Sequence, residues 1–125
     1  ASSGGISFDS NSNRVVICYK NNGNSSYGTA IVGTVSGTSI SFGTAAVFES
    51  GSVEHLSVAY DSTNQNFVIA YNDGGNSGYG TFVVGTVSGT SISFGTPAVF
   101  NSANTSYTGT VFDSNSNKIV IYWNA

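Results

Sequence analysis

The sequence predicts an all-β chain built from four-stranded antiparallel repeats, and its periodicity, patterning and turn chemistry carry that reading. The string VGTVSGTSISFGT occurs at 32–44 and again at 84–96, 52 residues later. The same spacing joins Asp9 to Asp61 to Asp113, Tyr27 to Tyr79, and Tyr19 to Tyr71 to Trp123, with no insertions. A fixed period of that size marks stacked supersecondary units. Within each period, runs rich in Val, Ile, Phe, Tyr and Thr alternate with clusters of Gly, Asn, Asp and Ser, and no segment has helical periodicity. The chain therefore reads as a single repeat domain over 1–125, with repeat one at 6–57, repeat two at 58–109 and a partial third repeat at 110–125.

Taken in order, strands are expected at 4–8, 14–20, 27–35 and 38–48 in the first repeat, and at 56–60, 66–72, 79–87 and 90–100 in the second. The last of these is expected to break at Gly95-Thr96-Pro97. Between the first and second strands lie Asp9-Ser-Asn-Ser-Asn13 and its copies from Asp61 and Asp113, where Asp caps backbone amides ahead of it and Asn tolerates positive φ. Ser36-Gly37 and Ser88-Gly89 mark tight hairpins whose Gly supplies a left-handed conformation. In the second strand Val15, Ile17 and Tyr19 fall on one face and Val16 and Cys18 on the other, so the strand should be covered on both sides, as should its copies at 67–71 and 119–123. In the fourth strand Ile40 and Phe42 alternate with Ser39 and Ser41, as suits an outer strand with one wet side.

Composition narrows the function. Hydrophobic residues make up 39% of the 125, enough for a core, while charged residues make up only 7% and leave Ser, Thr, Asn and Gly to carry solubility. Such a surface suits an extracellular, adhesin-like or structural protein. Arg14, Lys20 and Lys118 stand against six carboxylates, net charge −3, so a row of phosphates has nothing to neutralise it and nucleic acid is not expected as a partner. No run approaches a membrane span, so no membrane insertion is expected, and with no Met and no signal segment Ala1 reads as a processed end. Cys18 is the sole cysteine and aligns with Ala70, so it reads as filling a small apolar gap.

A four-stranded antiparallel unit of this length, repeated in tandem and apolar on both inner faces, resembles a β-propeller blade. The phrases YGTAIVGTVSGTSISFGT and FDSNSN followed by an apolar strand resemble the tandem β-repeats of phage-encoded structural and tail-associated proteins of marine origin, over the whole chain. The resemblance implies propeller-like blades, two and a half per chain, in a ring or array completed by oligomerisation. A homo-oligomer is accordingly expected, because terminal blades alone would expose apolar faces and strand edges.

Several residues carry candidate chemistry. Asp-x-Asn-x-Asn at 9–13 and 113–117 looks like half of a calcium loop, but the following Gly and distant Glu are missing and Asp61, Thr63 and Gln65 spoil the pattern, so a plain turn is preferred and no metal or other cofactor is expected. The segments KNNGNSSYG at 20–28 and NDGGNSGYG at 72–80 combine Gly, amide side chains and Tyr, with Tyr19 or Tyr71 just upstream. Aromatic faces stack on pyranose rings and Asn or Asp bonds hydroxyls, so Tyr19, Asn24, Tyr27, Tyr71, Asp73, Asn76 and Tyr79 are the candidate ligand residues, set against a reading in which they only shape turns and pack edges. His55 aligns with Tyr107, and the close acidic pair Glu49 and Glu54 becomes Asn101 and Ser106, so no catalytic residues and no enzyme activity are expected. The expectation is a non-enzymatic, multivalent glycan- or cell-surface-binding module, lectin-like, extracellular or on a virion; the alternative is a purely structural self-assembling component.

Overall fold

The computed structural model describes residues 4–124, which form antiparallel β-structure with one single-turn 3₁₀ element at Gly74–Asn76. The first unit consists of β1 (Gly4–Asp9), β2 (Arg14–Asn21), β3 (Tyr27–Ser36), β4 (Ser39–Phe42) and the first half of β5 (Ala46–Asp61). The second half of β5 opens the next unit and is followed by β6 (Asn66–Asp73), β7 (Tyr79–Ser88), β8 (Ser91–Phe94) and β9 (Ala98–Asn104). β10 (Ser106–Asp113) and β11 (Lys118–Asn124) form a separate two-stranded hairpin.

β5 belongs to two ladders: Ala46 to Ser52 pair with β3, and Val53 to Asp61 pair with β6. Nine strands are thereby hydrogen-bonded into one continuous, unclosed sheet. In the first unit the single strand expected at 38–48 is instead two pieces, and in the second the break expected at 95–97 is found: β4 and β8 pair with the far ends of β3 and β7, and after a break at 43–45 or 95–97 the chain returns to pair with the near ends. The second break falls on Gly95-Thr96-Pro97, where Pro removes a ladder donor. Where repeat one was expected to pass into repeat two through a loop, β5 continues without interruption, its register absorbed by irregularities between Glu54 and Ser57. His55 takes φ +53° there, and Tyr107, 52 residues on, takes φ +52° at the matching irregularity in β10.

The turns form for local reasons. Asp9, Asp61 and Asp113 each accept two backbone amides, and Asn13, Gln65 and Asn117 close these turns at φ of 57–59°. Gly37 and Gly89 open two-residue hairpins at φ +61° and +62°.

Each unit has an N-face, turned toward the preceding unit, and a C-face, turned toward the following one. The C-face of unit one (Val16, Cys18, Ala30, Val32 and Phe48) meets the N-face of unit two (Tyr60, Phe67, Ile69, Tyr71, Val83 and Ile92), and this contact is the core. Phe48 reaches across to Tyr71 at 5.2 Å and Phe94 at 5.6 Å between ring centroids; one period on, Phe100 repeats the contact to Trp123 at 5.0 Å. Gly28 and Gly80 make room, since a Cβ at either would lie 2.6–2.7 Å from the Phe48 or Phe100 ring. Cys18 fills the gap expected of it, wholly buried, with burial pushing its thiol up to about 12.

Among the described residues, full two-sided cover is found only in β6. In β2, Val16 and Cys18 are buried but Val15, Ile17 and Tyr19 are half-exposed, and β11 is more open still. The same split divides the outer strands: Ile92 of β8 is buried, while Ile40 and Phe42 of β4 are exposed. Each difference follows from a missing neighbour: β2 and β4 have no unit against their N-face, and β11 has none against its C-face.

Candidate functional site

The β2–β3 and β6–β7 connections, together with the crossing in β5, form one rim of the stacked units. In the first connection the Asn21 carbonyl accepts the amides of Asn24 and Ser26, both at 2.9 Å, and Asn21 Oδ1 accepts the Gly23 amide. Ser25 and Ser26 take positive φ to turn the chain into Tyr27. In the second, Asp73 replaces Asn21: its Oδ1 accepts the Gly75 amide at 3.0 Å, its carbonyl accepts the Gly78 amide at 2.8 Å, and Ser77 and Gly78 take positive φ. The two sequences thus reach one turn by two routes.

The candidate ligand residues divide. Asn24 and Asn76 are exposed at the loop tips, and Tyr19, Tyr27 and Tyr79 are half-buried at their bases. Among the described residues the side-chain amides of Asn24 and Asn76 and the hydroxyls of these three tyrosines make no hydrogen bond within the chain. Asp73 is buried and caps the 3₁₀ turn. Tyr71 is wholly buried against Phe48, so its ring has no face open to a stacking ligand, and its hydroxyl donates to Glu49 Oε1 at 2.9 Å.

Sequence reasoning did not join Glu49, Tyr71 and Asp73, which the fold brings together between the units. Burial raises the Glu49 carboxyl; the bond from Tyr71 works against this and the charge of Asp73 adds to it. Burial, then the Glu49 charge, drives the Tyr71 phenol far above its ordinary value. The period itself holds a clue, because Tyr71 shares a strand face with Phe67 and Ile69 and belongs with them in the core. Glu49 and Glu54, paired in the sequence reading, serve different partners: Glu54 forms an ion pair with Lys20. In the second unit Asn72 stands where Lys20 does, and its amide donates to the Thr105 carbonyl at 2.7 Å and Asn104 Oδ1 at 3.1 Å, holding the equivalent crossing.

On the opposite rim the three Asp turns use their carboxylates internally. Each Oδ1 takes two amides, and the Oδ2 atoms accept from Ser12, Asn64 and Ser116 side chains. For Asp9 and Asp61 burial works to raise the carboxyl, but these bonds together outweigh it; for Asp113 the Ser116 bond leads, and all three lie below the ordinary carboxylate value. This is the chemistry of a plain turn. Tyr60 is buried beside Asp9, its hydroxyl without a hydrogen bond of normal geometry, and burial followed by the Asp9 carboxylate pushes the phenol up to about 12. His55 lies at the join between β5 and β10, its ring 4.9 Å from that of Tyr107.

Among the described residues no helix is long and apolar enough to cross a membrane. Comparison with protein-family models, with curated proteins and with solved structures finds no match.

Proposed function

We propose that this chain is a non-enzymatic, propeller-like repeat module that holds polar, uncharged ligands, glycans foremost, through loops repeated along one rim, at an extracellular or virion surface. One observation carries the reading: Asn24 and Asn76, with Tyr19, Tyr27 and Tyr79 at their bases, keep amides and phenols uncommitted at that rim, whereas the other rim uses its Asp side chains to build turns. Amides bond sugar hydroxyls and half-open phenol rings offer an apolar face, so the two groups suit one ligand class. The propeller-like part rests on β1, the second half of β5, and β10 following one another as first strands of successive face-packed units. Repetition supports multivalency, because weak sites on one rigid body gain avidity without new contacts.

Binding to a glycan array, followed by titration of the best hit, tests this. Tyr79→Ala and Asn76→Ala are expected to weaken retention about tenfold or more while the circular dichroism spectrum stays unchanged. Retention unchanged in both, or absent in the native chain, contradicts the reading. A second reading, a structural self-assembling component, is favoured by a different observation: the apolar N-face of unit one, with Ile6, Phe8 and Phe42 each more than half exposed.

A further inference from the structure

The repeat contains its own answer to what covers that N-face. Moved by one period, Ile6, Phe8, Ile17 and Phe42 become Val58, Tyr60, Ile69 and Phe94, which in unit two lie against the C-face of unit one. The chain also presents an uncovered C-face, that of the β10–β11 hairpin, where Val111, Val120 and Tyr122 are 60%, 51% and 60% exposed. These positions correspond, two periods back, to Ser7, Val16 and Cys18 on the C-face of unit one.

We propose that the N-face of unit one docks, head to tail, on the C-face of the β10–β11 hairpin of a second copy of this chain. The contact continues the interface already present between units one and two. In that interface Gly5 lies under Val58, a Cβ on Gly5 meeting Val58 Cγ1 at 3.4 Å. The matching pair across copies is Gly109 under Ile6, and a Cβ on Gly109 meets nothing nearer than Tyr122 at 3.9 Å, so the place is open. The docking faces keep apolar side chains while exchanging sizes: the N-face carries Val15 where unit two has Phe67 and Ile6 where it has Val58, and the hairpin carries Tyr122 where unit one has Cys18 and Val111 where it has Ser7. The polar edge matches as well. Arg14 Nε donates to the Gly89 carbonyl at 3.3 Å across the internal interface, and the corresponding groups are Lys118 of one copy and the Gly37 carbonyl of the next. A heterologous contact of this kind leaves one head and one tail free at every step, so it continues until it closes or runs on as a filament. Tyr19 lies on the docking N-face, whereas Asn24, Asn76 and Tyr79 sit on the rim outside the contact, so the ligand reading is tested on Asn76 and Tyr79.

The test is complementation between blocked copies, followed by sedimentation velocity. The native chain is expected to self-associate with rising concentration. Ile6→Lys with Phe8→Lys blocks the head, and Val111→Lys with Val120→Lys blocks the tail; all four positions are exposed, so folding should persist by circular dichroism. Each blocked protein alone is expected to stay monomeric, and an equimolar mixture to form a one-to-one dimer and nothing larger. A native chain that stays monomeric at all concentrations overturns the proposal, as does a tail-blocked or head-blocked protein that still associates alone, or a mixture that forms no dimer. Should a Lys pair unfold the chain, Ile6→Ser and Val111→Ser replace them, each expected to weaken association about tenfold or more. Glycan retention by the monomeric blocked proteins keeps failure of this proposal distinct from failure of the ligand reading.

Discussion

β2 and β6 are the same strand one period apart, yet every residue from Phe67 to Asp73 of β6 is buried while β2 has Tyr19 and Ile17 half-open. They share Val16 and Val68, Ile17 and Ile69, and Tyr19 and Tyr71, and differ at the other five aligned positions, yet the shared Ile and Tyr are buried in one strand and half-open in the other. What separates them is a neighbour. β6 has unit one against its N-face and β2 has none, so burial here belongs to stacking and cannot be assigned from the strand alone. The same residue in the same local structure then contributes differently to stability, which gives the comparison a quantitative edge.

The largest effect is expected from Ile69→Ala, which removes wholly buried methyl groups and should cost about 2–5 kcal/mol in urea unfolding. Ile17→Ala, half-exposed, should cost less than half as much. Equal costs would mean that the two faces are not differently covered. Next comes Gly28→Ala, whose Cβ would fall 2.6 Å from the buried Phe48 ring and should cost about 1–3 kcal/mol. Gly80→Ala meets the Phe100 ring at 2.7 Å and the wholly buried, hydrogen-bonded Thr105 Oγ1 at 2.8 Å, so a loss of similar size is expected.

The two crossings sharpen the contrast further. Asn72→Ala leaves the carbonyl of wholly buried Thr105 short of a donor and should cost about 1–3 kcal/mol. Lys20→Ala breaks an ion pair whose Glu54 side is 42% exposed, and about 0.2–1 kcal/mol is expected, shrinking with salt. The smallest effects are in acid. Asp9, Asp61 and Asp113 have lowered carboxyls, so their stabilisation is present above the unfolded carboxylate value, near 3.9, and is lost as pH falls through the lower folded values. Glu49 is raised and acts in the opposite sense, its destabilisation relieved as pH falls. With three groups against one, stability should drop below about pH 4, and Asp61→Asn should flatten the drop in an acid titration followed by circular dichroism.

Much of the fold was legible because turns and strands are local. Gly37, Gly89 and the three Asp turns mark hairpins by chain chemistry alone, and Pro97 marks the break at 95–97, whereas the equivalent break at Gly43-Thr44-Ala45 has no Pro and was not legible. The uninterrupted β5 was not legible, because Gly51-Ser52 carries turn composition and the strand survives through register irregularities that only its two partners define. At the rim the loops at 20–28 and 72–80 were legible as turns, and Tyr71 reads both as part of a strand covered on two sides and as a ligand candidate; it is buried as the first reading expects, while its contact with Phe48 of the neighbouring unit was not legible. Glu49 meets Tyr71 for the same non-local reason.

Hydroxyl-radical footprinting of Tyr19 and Tyr71 in dilute protein reads out whether one strand pattern exists in two states of cover. The two side chains have the same intrinsic reactivity, so any difference reports access. Tyr19 is expected to be labelled and Tyr71 to be protected until the chain is unfolded. Comparable labelling of both in the folded chain would contradict this, because unit one would then not cover the N-face of unit two.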